Sequence, residues 1–209
     1  MNLTRPLRGV LPTLDAPALE VLAGTSRPMS GRQVYVLSKT GTARGVRLAL
    51  ARLVAQGLVL ADDHPGATLY SANRAHLAWP AIEALVGLRS ALLEQMRGRI
   101  ADWPIAPVHA SIFGSVARGE ADEASDIDVL LVRAAAVDED AWEQQVGALR
   151  EWAFAVTGNR CQVFEVDEPR FAEHVAARDP LVDAWRRDAL HLAGDPIEVL
   201  VRRSRRGSR

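Results

Sequence analysis

The sequence has a single cysteine, Cys161, which therefore has no partner for a disulfide within the chain. It also has no cluster of cysteines and histidines of the kind that binds zinc. The longest stretch without a charged residue runs from Trp103 to Ala117 and contains two prolines, so no transmembrane helix is predicted. No long apolar core follows Arg5 and Arg8, which excludes an ordinary signal peptide. These absences favour the cytoplasm as the compartment.

The overall composition is that of a folded protein. Of the 209 residues, 24% are charged and 48% are hydrophobic, a balance typical of globular domains. Disorder and a fibrous repeat are thereby excluded for most of the chain. The length allows one or two domains.

Charge is distributed unevenly along the chain. Residues 1–100 carry a net charge of +6, residues 101–201 carry −12, and the last eight residues add +5. A basic half joined to an acidic half suggests two domains with differently charged partners. Nucleic acid suits the first half and metal cations suit the second, although such asymmetry also arises without any partner.

The first half predicts three short helices followed by a β-hairpin. Gly24 ends the first helix, and Ser30 caps a second helix whose apolar residues Val34, Val36 and Leu37 are expected to face inward. A third helix over residues 42–56 places apolar residues on one face at helical spacing. Two short β-type stretches, around 57–60 and 68–70, flank a polar turn and predict the hairpin.

This order of elements resembles the winged helix-turn-helix of bacterial transcription regulators, over about residues 14–78. In that family the third helix enters the major groove of DNA and the wing contacts the backbone or the minor groove. The resemblance implies contacts with duplex DNA, possible homodimerisation, and a DNA-facing set of residues with His64 at the wing tip. A winged helix that packs against another protein is the alternative. The implied DNA-binding residues are Lys39, Thr40, Thr42, Arg44, Arg47 and His64.

The second half contains the most informative run of the chain, which predicts strand, turn, short helix, loop and strand. The uncharged stretch Val108 to Phe113 predicts the first strand, and Gly114 lacks the Cβ that would keep a ligand away from the backbone. Ser115 can cap the helical turn, where free N–H groups favour a phosphate. Asp126 and Asp128 are two residues apart on the next strand, so their side chains share a face. Paired carboxylates with oxygen ligands suit Mg²⁺.

The segments Gly114-Ser115, Ala117-Arg118-Gly119 and Ser125-Asp126-Ile127-Asp128 closely resemble the signature of the polymerase-beta-type nucleotidyltransferases, in particular the minimal ones of bacteria and archaea. The resemblance covers about residues 105–200. It implies transfer of a nucleoside monophosphate from a nucleoside triphosphate to a hydroxyl, with release of pyrophosphate and two metal ions, Mg²⁺ or Mn²⁺. It further implies that Asp126 and Asp128 hold the metals. The implied nucleotide-binding residues are Gly114, Ser115, Arg118 and Ser125.

The third carboxylate of that family lies on a later strand, which is predicted here over Arg160 to Asp167. The position expected for it is most naturally Gln162, which is neutral. Glu165 faces the opposite way if pairing is regular, and a bulge or a one-residue shift would bring it into the site. Glu165 is therefore the candidate third catalytic carboxylate. If Gln162 occupies that place, nucleotide binding survives while turnover falls sharply.

These observations predict an α/β (α+β) protein with four segments. They are a winged helix-turn-helix domain (1–78), a linker helix (79–103), a nucleotidyltransferase domain with a mixed sheet flanked by helices (104–201), and a basic disordered tail (202–209). Residues from Glu173 to Leu192 are expected to form one helix. The predicted function is metal-dependent nucleotidyl transfer. The alternative is a DNA-binding regulator whose second domain binds nucleotide without efficient turnover.

Overall fold

The computed structural model describes residues 1–207, and its backbone contacts divide the chain into two units. The N-terminal unit spans Arg5–Arg89, and the C-terminal unit consists of Met1–Thr4 together with Ser90–Arg209. The division falls within the predicted linker segment, and the first four residues belong to the C-terminal unit. No helix in residues 1–207 has the length and apolar character needed to cross a membrane.

The N-terminal unit contains five helices and a small antiparallel sheet of strand order β1-β3-β2. Its elements in chain order are α1 (Pro6–Val10), α2 (Asp15–Ala23), β1 (Met29–Ser30), α3 (Gly31–Ser38), α4 (Ala43–Ala55), β2 (Val59–His64), β3 (Ala67–Ala72) and α5 (Trp79–Val86).

Side-chain caps fix where the two middle helices begin. The Ser30 hydroxyl accepts from the backbone N–H of Gln33, whose side chain accepts from the Ser30 N–H, so a capping box starts α3. The Thr42 hydroxyl likewise accepts from Gly45 N–H at the start of α4. The expectation that Val36 and Leu37 face inward is wrong. They are 59% and 51% exposed, because the buried stripe of this short helix runs one turn from Val34 to Ser38.

The predicted linker helix is two helices. α5 ends at Val86, Gly87 caps it, and α6 (Leu88–Ala101) follows at once. Gly87 is the physical reason for the break, because glycine is the weakest helix former after proline. The face of α6 that carries Leu92, Met96 and Ile100 is buried in the core of the C-terminal unit.

The C-terminal unit is built on a four-stranded mixed sheet of order β6-β5-β4-β7, in which β5 and β6 are parallel and the other pairs antiparallel. Helices α6 and α8 contribute to the core on one face of the sheet, and α9, α10 and α11 contribute to the core on the other. The elements after α6 are β4 (His109–Phe113), α7 (Gly114–Arg118), β5 (Ile127–Arg133), α8 (Glu139–Thr157), β6 (Cys161–Asp167), α9 (Glu168–Ala176), α10 (Pro180–Asp188), β7 (Leu190–Gly194) and α11 (Ile197–Gly207).

Two expectations for the end of the chain are wrong. The single helix expected from Glu173 to Leu192 is instead two helices and the edge strand β7, because Asp179 and Pro180 start a new helix. The predicted disordered tail is helical from Arg202 to Gly207, since Leu200 and Val201 are buried and anchor α11. Residues 208–209 of that tail lie outside the described residues.

Candidate active site

The turn after β4 is fitted to an aspartate on the neighbouring strand. Phe113, the last residue of β4, pairs with Asp128 on β5, and Gly114 follows with a φ of +72°. A Cβ on Gly114 would overlap the Oδ2 atom of Asp128. Both the left-handed backbone and this close approach require glycine. The sequence therefore builds a turn whose backbone touches a carboxylate.

Asp126 and Asp128 form a carboxylate pair at the start of β5. Asp126 immediately precedes the strand and Asp128 is its second residue. Burial, and then the charge of Asp126, raise the pKa of Asp128, while the positive charge of Arg118 acts in the opposite direction. A partly buried carboxylate next to a second one is a suitable place for a cation. Their side chains point to the face of the sheet that also carries Leu130 and Val132.

Gln162, and not Glu165, lies beside the carboxylate pair. The pairing of β5 with β6 is regular, with Asp128 level with Gln162 and Leu131 level with Glu165. The Nε2 atom of Gln162 lies 3.4 Å from Asp126 Oδ2.

Glu165 is on the other face of β6. It pairs there with Arg133, with Nε and Oε1 3.3 Å apart. The bulge or shift that would bring Glu165 to the carboxylate pair is absent from the described strand, so its assignment as the third carboxylate lacks a geometric basis.

The other predicted nucleotide contacts have different surroundings. Ser115 is half-buried inside α7, and its carbonyl accepts from Glu120 N–H at 2.9 Å. The Ser125 hydroxyl donates to Asp122 Oδ1 at 2.8 Å and accepts from the Asp122 N–H at 2.9 Å. Ser125 is thus occupied in shaping the loop before Asp126.

Asn159 also supports this loop, and no sequence motif drew attention to it. Its side chain is buried, and its Nδ2 donates to the Ser125 carbonyl at 2.8 Å and to the Met1 carbonyl at 3.1 Å. An asparagine between a helix and a strand carries no distinctive spacing in the sequence. Only the fold brings it to the loop.

Arg118 is held by acidic partners that the sequence also did not reveal. Its Nη1 donates to Asp188 Oδ2 at 2.7 Å and its Nε to Glu120 Oε2 at 2.7 Å. Arg187 donates to the same Asp188 carboxylate. Hydrogen bonds from Arg187 and then Arg118 lower the pKa of Asp188. Asp188 lies 70 residues after Arg118, so no local spacing connects the two.

The residues expected to face DNA are on the surface of the N-terminal unit. Arg44 and Arg47 are exposed on α4, and Lys39 ends α3 with a φ of +51°. His64 is at the end of β2, and its Nε2 is 2.9 Å from Asp62 Oδ2. A cavity of about 1020 Å³ lies between α3, α4 and the β2–β3 hairpin. Its lining includes Arg32, Tyr35, Arg47, His64, Thr68 and Tyr70.

The remaining two DNA candidates belong to the turn between the helices. The hydroxyl of Thr42 is used in capping α4, and Thr40 is half-buried. Their side chains are therefore less available to a ligand than those of Arg44 and Arg47.

Comparison with known proteins identifies part of the chain. Residues 93–175, less than half of the sequence, match the profile of the family described as nucleotidyltransferase domain, and the mixed sheet flanked by helices is consistent with that fold. No curated protein matches the chain.

Two of the similar solved structures are toxin–antitoxin complexes. One contains AMP-PNP and has a TM-score of 0.37 and 19% identity, covering 56% of this chain and 86% of the other. The second is a tri-AMPylated Shewanella oneidensis HEPN toxin in complex with MNT antitoxin, with a TM-score of 0.36 and 15% identity, covering 57% and 86%.

The residues at the carboxylate pair fit a divalent cation of the kind that nucleotidyltransferases use. Within residues 1–207, no group of three or more histidine, cysteine or acidic side chains could hold a metal ion by itself. Mg²⁺ is commonly bound by only one or two carboxylates, with substrate phosphates and water completing its oxygen ligands. Burial, and then the charge of Asp126, raise the pKa of Asp128, and a bound cation would offset both effects by favouring the ionised carboxylate.

Proposed function

We propose that the C-terminal unit binds a nucleoside triphosphate with Mg²⁺ or Mn²⁺ and transfers the nucleoside monophosphate to a hydroxyl, releasing pyrophosphate. The observation that carries the proposal is the Gly114 turn in contact with Asp128, with Asp126 two residues away. The family match over residues 93–175 includes this whole segment and supports the proposal independently.

The residues of the chain have separate tasks in this reaction. Asp126 and Asp128 hold the cation, which when bound supplies positive charge to the phosphate oxygens. The acceptor oxygen bonds to the α-phosphorus, the bond from that phosphorus to the bridging oxygen breaks, and pyrophosphate leaves with the electron pair. The hydroxyl proton passes to water, because the Gln162 amide beside Asp126 is not a base at neutral pH. We therefore propose firm nucleotide binding with slow transfer.

Calorimetry tests the binding. Full-length protein is titrated with each nucleoside triphosphate, with and without Mg²⁺, and pyrophosphate release is followed separately. The double variant Asp126→Asn/Asp128→Asn should lose the Mg²⁺-dependent part of the affinity. Glu139→Gln is the matched control, because Glu139 is an exposed acid of the same unit at the other end of β5. Equal nucleotide affinity in the double variant and the wild type would refute the proposal.

For the N-terminal unit we propose a winged helix that binds duplex DNA, as a dimer. The order α2, β1, α3, α4, β2, β3 and the antiparallel sheet support this interpretation. Arg44 and Arg47 are exposed on α4. Within residues 1–207 neither has an acidic partner within ion-pair distance, so both charges remain available for phosphate or guanine edges.

A mobility-shift assay on genomic fragments tests the DNA proposal. Arg44→Gln/Arg47→Gln should weaken binding and reduce the slope of log affinity against log salt by about two. Arg52→Gln is the control, because Arg52 is on the same helix but pairs with Asp15 at 2.9 Å. If the wild type shifts no fragment at low salt, the unit docks to protein instead. Together the two proposals describe either an enzyme fused to a DNA-binding domain or a regulator that senses nucleotide.

A further inference from the structure

A buried carboxylate in the C-terminal unit binds two arginines beside the candidate active site. The Asp188 side chain is only 3% exposed. Its Oδ2 accepts from Arg118 Nη1 at 2.7 Å, and Arg187 donates to Oδ1 from Nε at 2.9 Å and to Oδ2 from Nη2 at 3.4 Å. Arg118 ends α7 and Asp188 ends α10. We call Arg118, Arg187, Asp188 and Glu120 the Asp188 cluster.

The cluster orients its two guanidinium groups without using all of their donors. A guanidinium has five N–H donors. Arg118 uses one at Asp188 and one at Glu120, and Arg187 uses two at Asp188. Three N–H groups of each arginine thus have no partner within this cluster, and the Arg187 side chain is 67% exposed. Glu120, the second acid of the cluster, is 64% exposed and can move into solvent.

The cluster is close to the carboxylate pair. Helix α7 begins at Gly114, whose backbone is so close to Asp128 that an added Cβ would overlap the carboxylate. The helix ends four residues later at Arg118. At 1.5 Å per residue the axial rise between the two positions is about 6 Å, which an arginine side chain readily spans. The charge of Arg118 already acts on Asp128, so a polyphosphate held by a cation at the carboxylate pair would lie within reach of Arg118.

We propose that Asp188 is a positioning residue that presents Arg118 and Arg187 to the polyphosphate of the bound nucleoside triphosphate. This inference rests on the proposed nucleotidyl transfer and adds the part of the substrate that these residues would recognise. A planar guanidinium oriented by one carboxylate can offer its remaining N–H groups to phosphate oxygens in a fixed direction.

The direction in which Asp188→Asn changes the affinity for a polyphosphate distinguishes a positioning role from a purely electrostatic one. Asp188→Asn removes a negative charge next to two arginines, so long-range electrostatics alone would strengthen the binding of an anion. If Asp188 positions the arginines, the same change weakens binding, because the guanidinium groups lose their fixed orientation.

The experiment is calorimetric titration of full-length protein with MgATP and with Mg²⁺–tripolyphosphate. Asp188→Asn should weaken the binding of both probes about tenfold, or ~1.4 kcal/mol. Glu198→Gln is the matched structural control, because Glu198 pairs with Arg186 of α10, at 3.0 Å, one residue from Arg187. It should change the affinities less than twofold.

A second variant covers the case in which Asp188→Asn does not fold. Arg187→Gln leaves the Arg118–Asp188 pair intact and removes an exposed side chain, so it should fold and still weaken the binding of both probes. Unchanged or tighter binding by the folded Asp188→Asn variant, or by Arg187→Gln, overturns the positioning role of Asp188 but leaves the proposed function standing. An equal loss in Glu198→Gln does the same. If the wild type binds no Mg²⁺–nucleoside triphosphate at all, both this inference and the proposed function fail.

Discussion

Replacing Gln162 by glutamate supplies the carboxylate that the site lacks, in a side chain of the same length. The Nε2 atom of Gln162 is 3.4 Å from Asp126 Oδ2, so a carboxylate oxygen of Gln162→Glu would face a like charge at that distance. We expect the variant to be less stable than the wild type without metal. With Mg²⁺ present we expect the order to reverse, because the cation gains a third anionic ligand.

The size of the effect follows from the geometry. Two unit charges 3.4 Å apart repel by about 1 kcal/mol in water and about 5 kcal/mol at an effective dielectric of 20. Gln162 is exposed, so the lower figure applies and salt reduces it further. For a chain of this length, about 1 kcal/mol corresponds to a fall of about 2–4 °C in the unfolding temperature. A base next to the acceptor hydroxyl would raise transfer by about 10²-fold or more.

Thermal unfolding with and without Mg²⁺ and a pyrophosphate-release assay measure these quantities. Glu165→Gln is the control on the same strand, because Glu165 pairs with Arg133 on the opposite face. It should alter neither the Mg²⁺ dependence nor pyrophosphate release. The reasoning is refuted if Gln162→Glu unfolds at the wild-type temperature without metal and gains no more stability from Mg²⁺ than the wild type.

Two further changes test other parts of the C-terminal unit. Gly114→Ala should destabilise the protein by about 1–3 kcal/mol, since its φ is +72° and the new Cβ would meet Asp128, and it should abolish Mg²⁺-dependent nucleotide binding; unchanged calorimetric affinity would contradict this. Burial is the main reason that the pKa of His109 is below 6.5, and the nearby His191 lowers it further. The hydrogen bond to the Asp195 carbonyl and the charge of Asp195 act in the opposite direction but do not cancel this effect. Between pH 7 and 5 the unfolded state therefore binds more protons than the folded state, and the free energy of unfolding should fall as the pH falls. His109→Asn should reduce the slope of this free energy against pH by up to about 1.4 kcal/mol per pH unit. Denaturant titrations at several pH values that give the same pH dependence for the variant and the wild type would refute it.

Much of the fold could be predicted because it depends on local signals. The structural information of the caps at Ser30 and Thr42 and of the run from Gly114 to Asp128 lies within short stretches of sequence. The end of the chain could not be predicted in this way. Strand β7 has only five residues, of which Leu192 alone is buried, and only its pairing with β4 makes it a strand.

The residues of the candidate site likewise fall into those that a local motif predicts and those that only the fold brings together. Gly114, Asp126 and Asp128 are joined by a short motif, so their proximity follows from one strand–turn–strand unit. The choice between Gln162 and Glu165 depends on the register of a parallel pair whose strands are separated by the whole of α8. Asn159 and Asp188 reach the site from distant elements, and neither has a distinctive neighbour in sequence. Contacts between distant parts of the chain need the fold itself.

The two candidate functions of the C-terminal unit differ in the fate of one proton, and not in how nucleotide binds. In both proposals the Gly114 turn, the carboxylate pair and the Asp188 cluster contact the triphosphate and its cation. Gln162 stands where an acceptor hydroxyl would need a base, and its amide can only donate to Asp126 or accept a hydrogen bond. The proposed function therefore expects this set of residues to bind nucleotide firmly and to transfer it slowly. If Gln162→Glu raises pyrophosphate release without changing nucleotide affinity, the wild-type site is a nucleotide binder in which the absence of one carboxylate limits the chemistry.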